Sequence, residues 1–156
     1  PRAVSLSEAD VAAETRLFFG AAKTLEANGA SIANNALAAA DDANYDLAAD
    51  AGSYPDAEFD LTGTFSVAPT EGATLALYAR PLDIDGTADA EVPETTRPTV
   101  YVGSFVVNNV TTAQSMLLVA QDLPRLAGYY VHNNGTGQSL SAGWTLKVTP
   151  RTYGPA

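Results

Sequence analysis

The sequence predicts an all-β chain, an antiparallel β-sandwich of jelly-roll type preceded by an N-terminal arm or a short helix. Three observations predict it. First, residues 57–67 alternate without a break: Ala57, Phe59, Leu61, Gly63, Phe65 and Val67 against Glu58, Asp60, Thr62, Thr64 and Ser66. A strand with one buried face demands that period of two, whereas a helix would scatter the same residues around its circumference. Second, short runs rich in Val, Thr, Tyr and Phe recur after it, separated by turn residues. Third, the composition divides. Residues 1–60 hold 3 bases and 11 acids, a net of −8, and are rich in Ala, whereas residues 61–156 hold 5 bases and 7 acids, a net of −2. The division places an arm or short helix in residues 1–35 and the sandwich domain in residues 36–156.

Taken in order, Ser7 followed by Asp10 resembles a helix-capping pair, and Val11, Leu17, Phe18, Ala21, Ala22 and Leu25 partly follow helical spacing. Gly20 weakens a helix there, and an extended arm accommodates the same residues. Asn28-Gly29 has turn composition. Strands are expected at 43–47, 57–67 and 74–79. Pro69-Thr70-Glu71-Gly72 supplies a turn that would join the last two as a hairpin. Residues 81–98 are acidic and bounded by prolines, hence a long surface loop. Four more strands are expected at 100–107, 115–121, 127–132 and 144–149. Their connectors carry Asn108-Asn109, Leu123-Pro124-Arg125 and Asn133-Asn134-Gly135-Thr136-Gly137.

Composition narrows the function. The chain has 156 residues, no Cys, one His and a net charge of −10. Without Cys there is no disulfide, thiolate metal site or Cys nucleophile, and one His cannot build a multi-histidine centre. An acidic surface repels phosphate backbones and anionic lipids, so neither nucleic acid nor a membrane is an expected partner. No stretch has the apolar length of a membrane span. The first residues lack the layout of a secretory signal, so folding in the cytoplasm of the producing cell is expected. Asn109-Val110-Thr111 and Asn134-Gly135-Thr136 match a glycosylation pattern but suit turns.

Candidate chemistry is sparse. Asp83, Asp85 and Asp89 could offer oxygens to calcium, but EF-hand spacing and its bidentate Glu are missing, and a solvated acidic loop explains them. Asp41, Asp42, Asp46 and Asp50 keep an Ala-rich segment soluble; nothing marks them as an acid/base pair. His132, with no Ser–Asp arrangement near it, fits a hydrogen-bonding residue at a strand end. Tyr78, Tyr101, Tyr129, Tyr130 and Trp144 suit core and rim packing, and exposed members could stack on sugar rings. Leu17-Phe18-Phe19 is the most apolar triplet of the N-terminal part. On an arm it would anchor to a partner, and on a helix it would pack on its own sandwich. No enzyme activity, cofactor or metal is expected.

Arg97-Pro98-Thr99-Val100-Tyr101-Val102-Gly103-Ser104-Phe105, the run from His132-Asn133-Asn134-Gly135-Thr136 to Lys147-Val148-Thr149-Pro150, and Leu77-Tyr78-Ala79-Arg80-Pro81 together resemble small virion proteins of tailed bacteriophages. The likeness covers residues 57–153. It implies a non-enzymatic β-sandwich on the particle surface, most simply a head decoration (cement) protein. Such a protein would be a homo-oligomer, a trimer in this class, bound to the major capsid protein. The other function the residues suggest is a glycan-binding module on a tail or baseplate.

Overall fold

The computed structural model describes residues 15–47, 54–82, 91–96 and 100–155. Among them are ten strands and no helix. They are β1 (Thr15–Phe19), β2 (Lys23–Gly29), β3 (Leu37–Ala39), β4 (Tyr45–Asp46), β5 (Asp56–Gly63), β6 (Thr74–Pro81), β7 (Val100–Val106), β8 (Gln114–Ala120), β9 (Leu126–Asn134) and β10 (Trp144–Pro155). The first sheet runs β1-β10-β5-β8, with β2 also beside β10; the second runs β3-β9-β6-β7, with β4 also beside β9. All pairings are antiparallel.

The pairs nest. β2 joins β10, β3 and β4 join β9, β5 joins β8, and β6 joins β7. The chain is therefore one long antiparallel ribbon, folded over so that its two halves face each other. That is the jelly-roll connection.

The nesting corrects one expectation. β5 and β6 do not form a hairpin: they belong to different sheets. Alternation shows that both strands bury one face, but it cannot say whether they share a sheet or face each other across the core. The turn between them exists all the same. Ala73 donates its N–H to the Thr70 carbonyl at 3.2 Å, and Gly72 has a φ of 72°.

The N-terminal stretch, legible as arm or helix, is extended at Thr15–Phe19 and Lys23–Gly29. β2 lies in the first sheet, with Leu25 in the core. Asn28-Gly29 is no turn. Gly29 is the last residue of β2, and the Trp144 indole occupies the space a Cβ there would fill. The indole Nε1–H donates to the Ala30 carbonyl at 2.8 Å. The one Trp thus sits at the start of β10 and locks it onto β2.

The core fills the gap between the sheets with Leu25, Phe59, Leu61, Leu75, Leu77, Phe105, Val131, Leu146, Val148 and Trp144. Two aromatics bridge the layers, with the Phe59 and Tyr129 rings at 5.1 Å. A buried polar staple closes one end. The fully buried Asn133 amide donates to the carbonyls of Ile32 (3.1 Å) and Gln138 (2.7 Å) and accepts from the Thr136 hydroxyl (2.7 Å). Each buried polar atom of that set has a partner, as a low-dielectric site requires.

Gly29→Ala should destabilise the chain by about 3 kcal/mol, because the Trp144 ring has nowhere to go. Gly72→Ala meets nothing within 4 Å. It should cost about 1 kcal/mol, for the left-handed backbone alone. Urea unfolding followed by Trp144 fluorescence measures both.

Candidate functional site

Two surface features stand out from the polar exterior, and each follows from strand register. The first is at the end of β10. β5 pairs with β10 only as far as Asp56 opposite Arg151. Among the described residues, 152–155 continue with only β1 beside them, Leu17 opposite Tyr153 and Phe18 opposite Thr152. The result is a two-stranded ribbon running on past the sheet.

Consecutive strand residues point to opposite faces. Leu17 and Phe19 therefore share one face with Tyr153, and Phe18 takes the other, its ring over Gly154. Phe18 is 43% exposed, Phe19 52% and Tyr153 59%, whereas Leu17 is half-buried. At the base, Arg151 donates to the Glu58 carboxylate at 3.1 Å and ties the ribbon's root to β5. The triplet Leu17-Phe18-Phe19 thus lies in a strand that buries none of its three side chains fully.

The second feature is the outer face of the second sheet. Register aligns Tyr101 on β7, Tyr78 on β6 and Tyr130 on β9 in one row. The Tyr78 ring stands 5.7 Å from Tyr101 and 6.1 Å from His132. Burial, reinforced by the neighbouring Tyr101 hydroxyl, holds the Tyr78 phenol above its usual value. Of the aromatics singled out from sequence, the other two are structural. Trp144 and Tyr129 lie in the core. His132 faces this tyrosine cluster near the end of β9.

One flank of the sandwich is also apolar. The edge strands β7 and β8 expose Val100, Val106, Leu117 and Val119, and Leu117 is 75% exposed. β8 (QSMLLVA) carries no charge. An edge strand usually protects itself with Lys, Pro or a bulge.

Of the acids named from sequence, Asp41 is exposed and gives its backbone N–H to the Glu26 carboxylate at 3.1 Å, and the others are ion-paired or outside the described residues. Asp42 pairs with Lys23 at 2.7 Å, and Lys23 also lies over the Tyr45 ring. Asp46 pairs with Arg125 at 3.4 Å. Asp50 and residues 83–89 lie outside the described residues. Among the described residues no three His, Asp or Glu side chains gather where they could hold a metal. No protein-family model matches this chain, and no curated protein matches it.

Tyr129 gives a pH signature of the core. Burial, with Tyr45 adding to it, pushes its phenol far above the ordinary value of 10.0. Its hydroxyl has no hydrogen-bond partner among the described residues. The unfolded chain releases that proton near pH 10 while the folded chain keeps it, so stability is constant below and falls as pH rises past about 10. Tyr129→Phe should flatten that fall and leave stability at pH 7 equal or slightly higher, as denaturant titrations across pH 7 to 11 would measure.

Proposed function

We propose that this chain is a structural, non-enzymatic protein of a tailed-bacteriophage particle: a capsid decoration protein on the virion surface that bridges neighbouring subunits of the major capsid protein. The observation that carries the reading is the β1–β10 ribbon, with Phe18 and Phe19 half exposed on its opposite faces. A strand that is greasy on both sides cannot satisfy itself against its own sheet. It is suited to a cleft that covers both faces, such as a seam between subunits. Fully burying one Phe there contributes about 1.5 to 3 kcal/mol.

The remaining features support the same function. The core of the jelly roll includes no residue of β1. The uncharged β8 edge with Leu117 and Val119 suits contact with another copy, as a homotrimer would require. Several copies held together turn weak contacts into firm attachment through effective concentration. The net charge of −10 keeps free copies apart before assembly.

The test mixes the purified protein with expanded, undecorated shells and looks for stoichiometric added density by cryo-electron microscopy. The double variant Phe18→Asp, Phe19→Asp should melt within a few degrees of the parent, since neither ring is in the core, and should no longer attach. Attachment unchanged in the variant, or absent in the parent, contradicts the proposal.

A further inference from the structure

We infer that the row Tyr101–Tyr78–Tyr130 is a stacking platform for a neutral carbohydrate chain. Alternation alone would not build this row. In β7, Gly103 pairs with Leu77, yet the next residue of β6, Tyr78, pairs with Tyr101, so Val102 is the extra residue of a β-bulge. With regular register Tyr78 would face Val102, and Tyr101 would fall opposite Ala79, on the core side. The bulge breaks the ladder at one point and in return turns Tyr101 to the outside, beside Tyr78. A bulge that re-aims a side chain is a device found at binding sites. Here it turns out a ring that stays 58% exposed, so packing inside the molecule does not account for it.

The row suits a sugar in size and chemistry. Neighbouring strands lie about 4.8 Å apart, so three tyrosines in register span about 10 Å, the reach of two linked pyranose rings. Each tyrosine face is electron-rich and attracts the weakly positive C–H groups on the flat side of a pyranose. The Tyr101 hydroxyl shares a 2.7 Å hydrogen bond with Ser104, which fixes the exposed ring.

Beside the row, the neighbouring cross-strand set is Ser104, Ala76 and His132. Ala76, a small residue on that face, is itself covered by its neighbours. Ser104 and His132 stand at its two sides, and Thr74 and Asn134 follow one step further. The hydroxyls of Ser104 and Thr74 and the exposed amide of Asn134, along the margin of a ring platform, match a ligand with C–H faces and O–H edges, while His132 is largely buried.

Charge selects among such ligands. None of these residues is a carboxylate, the charged residue next along this face of β6 is Arg80, and the chain as a whole carries −10. That field repels sulfated or uronate-rich glycans and is indifferent to neutral ones. On a particle, the same face would give a decorated shell weak, repeated contacts with a host polysaccharide. The inference does not depend on the ribbon's role, and the two fail separately.

Affinity electrophoresis in native gels containing dextran, a β-1,3-glucan, a mannan or a galactan tests it, with heparin as the anionic control. At least one neutral polymer should retard the protein, and heparin should not. Tyr101→Ala should bind about tenfold more weakly, about 1.4 kcal/mol, while Tyr101→Phe keeps most of the affinity. Tyr101→Leu, which preserves bulk on β7, should behave like Tyr101→Ala and guards against a folding defect. Retardation by none of the four neutral polymers, by heparin alone, or equally for parent and Tyr101→Ala would overturn the inference. Attachment of Tyr101→Ala to shells should remain that of the parent.

Discussion

β10 is held between the two ends of the fold's logic. On one side it pairs with β2 and β1, from the start of the chain, and on the other with β5, from its middle. No other strand of the first sheet joins segments so far apart in sequence. The sheet closes only when the last strand arrives, and Trp144 on Gly29 fixes where it arrives. That contact pins the start of β10 to the end of β2, and two register shifts follow it, between Trp144 and Leu146 and between Leu146 and Lys147. Register in turn decides how much of β10 is left over once β5 ends at Asp56. The protruding ribbon is this surplus, the part of β10 that runs beyond its pairing with β5.

The two outer faces of the sandwich differ, although the inner faces are equally apolar. On the first sheet, Glu58, Asp60 and Thr62 of β5 lie beside Thr145, Lys147, Thr149 and Arg151 of β10, a charged and hydroxylated surface. Asp60 accepts from Ser115 at 2.7 Å, but β8 otherwise turns this face apolar, with Leu117 opposite Asp60 and Val119 opposite Glu58. On the second sheet, the outer positions carry three tyrosines, Ala76 and His132 among Thr74, Arg80, Ser104 and Asn134. A body that needed only solubility would make both faces like the β5–β10 surface. The apolar ribbon, Leu117 and Val119 on β8 and the tyrosine row are three departures from a uniformly polar exterior.

Much of this was legible beforehand. The alternation of residues 57–67 located β5, and the Val, Tyr and Leu runs located β6 to β10, because half-buried strands write a period of two. Leu17-Phe18-Phe19 stood out as apolar residues in an acidic segment, and the structure leaves Phe18 and Phe19 substantially exposed. Three things were hidden. β3 (Leu37–Ala39) lies in an Ala-rich run whose local preference is helical; pairing with β9 overrides it. Gly29 resembled a turn residue because composition cannot distinguish a glycine that bends the chain from one that makes room for a ring 115 residues away. The bulge at Val102, which makes the tyrosine row, leaves no mark in β7 read alone, since it exists only in the register between two strands. Pairing across strands, in each case, carried what single-strand patterns could not.

The central claim is that the β1–β10 ribbon is unsatisfied in the free molecule and completed by a partner. Amide hydrogen exchange of the protein, free and then bound to expanded shells, reads this directly. Residues 15–18 and 152–154 should exchange fast when free and become strongly protected on the shell, with β5 and β9 protected in both states. Fast exchange at those ribbon amides in fully occupied shells would contradict the account.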